Sequence, residues 1–474
     1  MPDNSVHPLD YIFHPQSVAV IGASPDPDSP GLLFLLPFVK AGFKGPLYPV
    51  GRNSSEVLNL KTYRSLLDIP GPVDYVVVAI PAAATPQLMR ECAQKKVKAV
   101  TFFTGGFTEA GTEQGKKLEQ ELVEIARQGN FRIIGPNCLG MYVPSSRVSF
   151  VADATFESGS FGFFSQSGGH TANTIRTGTA RGLLFSKAIS YGNGSDLNEL
   201  DFLDYLSKDS NTRVIGCYQE GAKHGREFFG LLKSVTKEKP VVVMKGGFTE
   251  AGKRAIMCHT ASLATDRSIW ESMLRQAGAI GVGSVPHLVD ASLAFTFLPP
   301  GKKKKIGVVG WGGGASVQAS DDLEKYGLQL PPLPPHILSK LQHFDSAGCI
   351  TGNPLDTLLI FFNLEAVKEI IRIVASWDEL DLILLHVGLG ATSDFAFEAR
   401  GGQLEPLIDA YLSAAQEIKK PVVMVMHSLP YSTSWEAAYK AQEKTTRVGI
   451  PLYFSLDDAG RALSLFNRYW EHRE

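Results

Sequence analysis

Three short stretches of this chain carry residue types that could do chemistry together. Phe161-Gly-Phe-Phe-Ser-Gln-Ser-Gly-Gly-His170 runs an apolar segment into a Ser/Gly turn and then a helical pattern. In Ser165, Gln166, Ser167, Gly168 and Gly169, small residues let backbone amides approach an anion and the hydroxyls add donors. A helix starting there adds partial positive charge, so this loop is expected to cradle a phosphoryl group. The turn lacks the Gly-x-Ser-x-Gly spacing of a hydrolase nucleophile elbow.

The second stretch is Lys245-Gly-Gly-Phe-Thr-Glu-Ala-Gly252, leading to Cys258-His-Thr-Ala-Ser-Leu-Ala-Thr-Asp266. It places His259 after a strand pattern and a Gly-rich turn, with Thr260 and Ser262 as nearby donors. Neutral imidazole is a good nucleophile near neutral pH, because an unperturbed histidine has a pKa of about 6.5. Attack through one ring nitrogen requires the other to be held as N–H by an acceptor. The third stretch, Tyr218-Gln-Glu-Gly221 at the end of a β pattern, offers Glu220 for that role.

These groups must be held by alternating strands and helices. Short β-branched runs separated by longer helical patterns predict βαβ units with parallel sheets. The first set of strands is Val18–Ile21, Leu47–Val50, Tyr75–Ile80, Ala99–Phe103 and Arg132–Ile134, with helices at Pro86–Lys95 and Glu113–Gln128. The second is Phe161–Phe164, Phe185–Ile189, Val214–Tyr218, Val241–Met244 and Ile280–Val282, with a helix at Leu197–Leu206. The third is Ile306–Val309, Leu382–Val387, Val422–Met426 and Leu452–Phe454. Residues 141–159 read as an irregular linker. Leu298-Pro-Pro-Gly-Lys-Lys-Lys-Lys305 reads as a second linker with a solvated charge run. The expected domains are therefore 1–140, 159–297 and 305–474, in keeping with the roughly three domains that the length suggests.

In the first domain, Val18-Ala-Val-Ile-Gly-Ala-Ser24 is a strand entering a turn, and a helix is expected from Pro30. A doubly wound sheet presents backbone N–H groups to a phosphate at that point. Gly22, Ala23 and Ser24 would form this turn, but the spacing is not the G-x-G-x-x-G of dinucleotide binders. An NAD site also needs an acid at the end of the second strand. Here Val50 is followed by Gly51 and Arg52, and a guanidinium favours a ribose carrying an extra phosphate, such as that of CoA or NADP. Ile80 and Pro81 close the third strand as a further wall of the same crevice.

The bulk numbers exclude other classes. Net charge is -2, which gives no global attraction to nucleic acid or an anionic membrane. The five cysteines are scattered without a CxxC pair, so neither a zinc knuckle nor a disulfide framework is expected. No apolar stretch approaches the ~20 residues that a membrane span needs, and the first residues do not read as a signal peptide. A cytoplasmic location without metal ligands in this chain is the expectation.

Gly22-Ala-Ser24, Tyr48-Pro-Val50, Val78-Ala-Ile-Pro-Ala82, Gly105-Gly-Phe-Thr-Glu-Ala-Gly111 and Ile134-Gly-Pro-Asn-Cys-Leu-Gly140 occur in that order. In this the chain resembles the CoA-binding domain of NDP-forming acyl-CoA synthetases, relatives of succinyl-CoA synthetase. The resemblance implies an α/β fold: a CoA-binding Rossmann-like domain followed by two flavodoxin-like parallel-sheet domains. It adds Asn137 to the CoA site. It also matches His259 to the family's phosphorylated histidine and Glu220 to the glutamate that orients it. The chain departs from the family at Gly51-Arg52-Asn53, Ala261, Thr265, Asp266 and His170, and His224 stands where an acid is common. Gly310-Trp-Gly-Gly-Gly-Ala315 and Gly352-Asn-Pro-Leu-Asp356 match the family's third domain.

The implied activity joins a small carboxylic acid to coenzyme A through a phosphohistidine and an acyl phosphate, with ATP converted reversibly to ADP and phosphate. No Walker P-loop and no ATP-grasp segment is found. ATP and Mg²⁺ are therefore expected on a beta-type ATP-grasp partner. A CoA-binding subunit that has lost the phosphorelay is the alternative, and an NADP-linked oxidoreductase is a third.

Overall fold

A computed structural model describes residues 6–259, 266–310, 312–344, 352–357, 363–388, 405–427 and 432–473. The chain divides into two compact units, Met1–Leu288 and Val289–Glu474. Every expected strand forms, each ending within two residues of its expected limit.

The first unit holds two main sheets. β1 (Val18–Ile21), β2 (Leu47–Val50), β5 (Tyr75–Val78), β6 (Ala99–Phe102) and β7 (Arg132–Ile134) form a parallel sheet in the order β2-β1-β5-β6-β7. A small hairpin of β3 (Glu56–Val57) and β4 (Leu60–Lys61) follows β2. The second sheet runs β13-β12-β11-β9-β10-β8. Its strands are β8 (Gly140–Tyr142), β9 (Phe161–Ser165), β10 (Phe185–Ser190), β11 (Val214–Gln219), β12 (Val241–Lys245) and β13 (Ile280–Val282). The second unit carries a parallel sheet of order β15-β14-β16-β17-β18. These strands are β14 (Ile306–Gly310), β15 (Leu355–Asp356), β16 (Leu382–Gly388), β17 (Val422–His427) and β18 (Leu452–Tyr453).

β1, β9 and β14 each have neighbours reached by connections that leave on opposite sides, which makes a switch point in each sheet. In open α/β sheets ligands bind in the crevice outside the carboxyl ends of the strands at such a point. The parallel strands are covered on both faces, so their sequences are continuous apolar runs rather than alternating ones. Phe161, Phe163 and Phe164 of β9 are all buried, and Phe161 meets Phe185 edge-on at 5.2 Å. Each buried ring contributes about 1.5–3 kcal/mol, so the strand carrying the Ser/Gly turn is firmly anchored.

Three expectations are corrected. The 141–159 linker is not irregular from its start, because β8 extends into it and pairs antiparallel with β10, Tyr142 against Ala188 and Gly140 against Ser190. Three residues of Gly-Met-Tyr carry too little pattern to reveal an edge strand. The helix expected at Leu197–Leu206 spans Glu199–Lys208. Asn198 fixes its start: its Oδ1 accepts from Leu200 N (2.9 Å), while Asp201 accepts from Asn198 N (3.0 Å). The lysine run is solvated only in part, since the Lys304 and Lys305 side chains are 40% and 42% exposed. Lys303 is buried, with its Nζ donating to the carbonyls of Pro300, Gly301 and Lys302. The backbone N–H groups of Lys304 and Lys305 both donate to Asp381. The run is the edge that leads into β14. Among the described residues no helix is long and apolar enough to cross a membrane, and no group of three or more His, Cys, Asp or Glu could hold a metal ion.

Candidate functional site

The Ser/Gly turn follows β9 at the second sheet's switch point, next to the end of β11. Both of its hydroxyls have partners within the loop. Ser165 Oγ donates to Ser167 O (2.9 Å) and accepts from Ser167 N (3.0 Å). Ser167 caps the helix Gly168–Ala180 by accepting from His170 N (3.3 Å). Thr171 N donates back to Ser167 O (3.0 Å). The backbone N–H groups of Gly168 and Gly169 remain without a partner among the described residues. They lie at the helix end that carries partial positive charge, an arrangement of two amides and a helix N-terminus that suits an anion.

Gln166 turns away from that helix end. Its Oε1 accepts from Gly221 N (3.1 Å) and from Glu220 N, and it is 4% exposed. The residue thus clamps the strand end that bears the candidate orienting carboxylate. Glu220 is also buried, and its Oε1 accepts from Tyr218 Oη (3.3 Å). The Tyr218 ring lies against His170, with centroids 4.3 Å apart. Burial, followed by the Glu220 charge, raises the phenol pKa. Tyr218 fits only because residue 246 is glycine, since a Cβ there would lie 2.4 Å from the Tyr218 hydroxyl. Lys245, at the end of β12, donates from Nζ to Glu220 O (2.7 Å) and to Gly246 O. Burial lowers its pKa to about 8, against the opposing pull of Glu220.

The first sheet builds its crevice from close backbone packing. Gly22 N and Ala23 N both donate to Val50 O, at 2.9 and 3.0 Å. Gly22 has φ +92, and a Cβ on it would lie 2.4 Å from Ala79 O and 3.2 Å from Ile80 Cγ2. The helix Pro30–Ala41 begins against this turn, where a Cβ on Gly31 would lie 2.0 Å from Gly22 O. Gly22, Ala23, Val50 and Ile80 are therefore brought together at the ends of β1, β2 and β5. Ser24 Oγ accepts from Asp26 N (3.2 Å) and shapes the loop before the helix. Pro81 is exposed beside the crevice. The Arg52 side chain is exposed two residues beyond β2 and has no partner among the described residues. Side chains are excluded from the crevice floor by sterics, which suits a ligand lying against backbone with its phosphates near Arg52 and the helix N-terminus.

One segment joins the two crevices. Thr104 Oγ1 donates to Ile80 O (2.7 Å), and Thr104 O accepts from Asn137 N (3.1 Å). Asn137 adopts φ +58, and Leu139, two residues on, packs under Gly168. Asn193 N and Ser195 N donate to the Pro136 and Gly135 carbonyls, both at 3.0 Å. Arg132 grips Asp196 through Nε and Nη2, both at 2.8 Å. Such bidentate pairs fix direction as well as distance.

His259 is the last residue of the helix Glu250–His259, which packs against the turn Thr108–Ala110 of the first sheet's Gly105–Gly111 segment. Its side chain, with Thr260, Ala261, Ser262 and Thr265, lies outside the described residues, as does Trp311. Asp266 has a structural task, capping the helix Arg267–Ala277 by accepting from Ser268 N (2.8 Å) and Ile269 N (3.4 Å). His224 is exposed at the N-terminus of the helix Gly225–Val235. Tyr218 and Lys245 stand beside Glu220 in the structure, although nothing in the Tyr218–Gly221 and Lys245–Gly252 stretches marks them as its neighbours. Nor is the pairing of Arg132 with Asp196 marked, since their opposite charges lie far apart in sequence and carry no local pattern.

The fold and this geometry define an α/β protein with a glycine-rich helix N-terminus after β9 and a backbone-lined crevice at the ends of β1, β2 and β5. Residues 16–144 match the family described as CoA binding domain, and residues 158–295 match the succinyl-CoA ligase like flavodoxin domain. The chain is 37% identical over 350 residues to acetate–CoA ligase (ADP-forming) II subunit alpha of Pyrococcus furiosus, covering 74% of this chain and 76% of that one. It is 33% identical over 468 residues to acetate–CoA ligase (ADP-forming) I of Archaeoglobus fulgidus, covering 97% of this chain and 64% of that one. The Archaeoglobus fulgidus enzyme II is 36% identical, and the match spans 53% of its length. Among solved structures, dinucleotide forming acetyl-coenzyme A synthetase 1 of Ca. Korarchaeum cryptofilum, in complex with phosphate and ADP, superposes with a TM-score of 0.82 at 28% identity. That superposition covers 98% of this chain and 97% of the other. The chain belongs to the ADP-forming acyl-CoA synthetase family. It spans 53% and 64% of the length of the two Archaeoglobus relatives.

Proposed function

We propose that this chain is the CoA-binding, phosphohistidine-bearing part of a synthetase that joins a small carboxylic acid to coenzyme A. ATP is converted to ADP and phosphate, and the reaction is reversible. In the forward direction an imidazole nitrogen of His259 takes the terminal phosphoryl group of ATP as the bond to ADP breaks. The acid's carboxylate oxygen then takes that phosphoryl from histidine, giving an acyl phosphate. Finally the CoA sulfur bonds to the acyl carbon, the carbon–oxygen bond to phosphate breaks, and the thiol proton leaves with the products.

In this reading the amides of Gly168 and Gly169 hold the phosphoryl group, and Glu220 accepts a hydrogen bond from the other ring nitrogen of His259. Gly22, Ala23, Ser24, Val50, Arg52, Ile80, Pro81 and Asn137 line the path of CoA. ATP and Mg²⁺ belong to an ATP-grasp beta subunit or domain, which is supported by the Pyrococcus furiosus relative being named a subunit alpha. A cytoplasmic location goes with the reading, since Cys92, Cys138 and Cys217 are buried free thiols.

The observation that carries it is the continuity from Ile80 through Thr104, Asn137 and Leu139 to Gly168, which links a CoA-type crevice to an anion cradle. The test is a screen of small acids with the complete, ATP-binding enzyme, reading thioester and ADP together. Stoichiometric thioester and ADP from at least one acid is expected. A complex that binds ATP and CoA but makes no thioester from any acid would favour a binding subunit without the phosphorelay.

A further inference from the structure

Glu220 is held at both of its peptide groups by side chains from neighbouring strands. On the N–H side, Gln166 reaches across from the loop after β9. On the C=O side, Lys245 reaches across from the end of β12 (2.7 Å) and also takes the carbonyl of Gly246. An ammonium donates charge-assisted hydrogen bonds, roughly twice as strong as neutral ones. It is held on its other sides by aromatic faces: Phe248 lies 5.3 Å and Trp270 5.6 Å from Nζ. Cation–π contacts of this kind need the positive charge. Two of the three ammonium donors are thus directed at backbone carbonyls.

We infer that Lys245, in its ammonium form, is a positioning residue that fixes Glu220 for its work on His259, a role that rests on the phosphohistidine reading above. The ammonium ties the ends of β11 and β12 together at the point where one bears the orienting carboxylate and the other leads toward the helix ending in His259. Deprotonation would remove both the charge-assisted bonds and the ring contacts. Among the described residues, the charged and titratable groups around Lys245 are these. Glu220 on β11 favours the ammonium, and the Arg267 guanidinium lies 4.6 Å from the Phe248 ring. Tyr218 is kept neutral by burial beside Glu220, and Lys253 is paired with Glu250 on the exposed side of its helix. Burial has already brought the lysine pKa down to about 8, so the loss falls within an accessible pH range.

The experiment measures the initial rate of histidine labelling from ATP labelled at its terminal phosphate, using the complete enzyme between pH 6.5 and 9.5. This half-reaction requires neither CoA nor the unidentified acid. Wild type is expected to label fastest below pH 8 and to decline above it. Lys245→Arg keeps a permanent charge, and its decline should move upward by at least one pH unit. Lys245→Met should label at least tenfold more slowly at pH 7, with an unchanged KM for ATP and a rate that stays flat from pH 7 to 9.5. The Met variant is read alone if the larger Arg side chain prevents folding. Wild-type labelling and pH dependence in the Met variant would overturn the role of Lys245 while leaving the phosphohistidine intact. No label on wild type at any pH would overturn the phosphohistidine reading, and this role with it.

Discussion

Gln166→Met is the substitution that most directly probes how the strand ends are held. Methionine keeps the length and volume of glutamine but removes the amide oxygen that accepts from both Glu220 N and Gly221 N. Each buried donor left without an acceptor costs about 1–3 kcal/mol. Two donors therefore put the loss at about 2–6 kcal/mol, and the 4% exposure of residue 166 leaves little access for a replacing water. Gln166→Glu retains an acceptor for the same two amides and serves as the control. Hydrogen–deuterium exchange on a peptide containing residues 219–222 reports the two amides directly. A loss of 2 kcal/mol corresponds to about thirtyfold faster exchange, and the urea midpoint of the first unit should fall with it. Phosphorylation should slow in parallel, because Glu220 loses its N-terminal clamp. Unchanged protection of residues 220 and 221 in Gln166→Met would refute the clamp and the reasoning built on it.

Two further substitutions test other parts of the molecule. Gly31→Ala would place a methyl group 2.0 Å from Gly22 O and 2.7 Å from Ala23 N, and backbone cannot yield as a side chain can. CoA affinity by calorimetry should fall at least tenfold, and wild-type affinity would show that the crevice does not depend on this contact. His386, at the end of β16, is buried, and burial followed by the nearby His427 lowers its pKa to about 4. The folded pKa lies below the unfolded value of about 6.5, so the unfolded chain takes up the proton first and stability falls as pH drops from 6.5 toward 4. Between pH 7 and 5 the second unit should lose about 2 kcal/mol more in wild type than in His386→Asn, read from urea midpoints. Parallel losses in the two proteins would contradict the buried neutral imidazole.

The strands were legible because parallel sheets covered on both faces demand β-branched and apolar runs such as Tyr75–Val78 and Val241–Met244, and no other residue order serves as well. The turn after β9 was legible because Ser and Gly residues there interrupt an apolar strand pattern just before a helical one. What could not be read was set by strand order. Lys245 reaches Glu220 only because β12 lies beside β11, and Gln166 reaches it only because β9 lies on the other side. Sequence spacing contains neither adjacency. Ser165 Oγ donates to Ser167 O within the turn, because a tight loop satisfies its own polar groups first, whereas Ser167 Oγ is engaged there as an acceptor from His170 N. The lysine run was legible in part: Lys304 and Lys305 stay partly exposed, while Lys303 finds three carbonyls in a buried corner that no charge pattern announces.

The measurement that bears most directly on the account is localisation of phosphate on the complete enzyme after brief incubation with terminally labelled ATP and Mg²⁺. Acid-labile, alkali-stable label on a peptide containing His259, absent from His259→Ala, is the predicted result. Label on another residue, or none in an enzyme shown to bind ATP and CoA, would contradict the phosphohistidine mechanism and leave a CoA-binding subunit in its place.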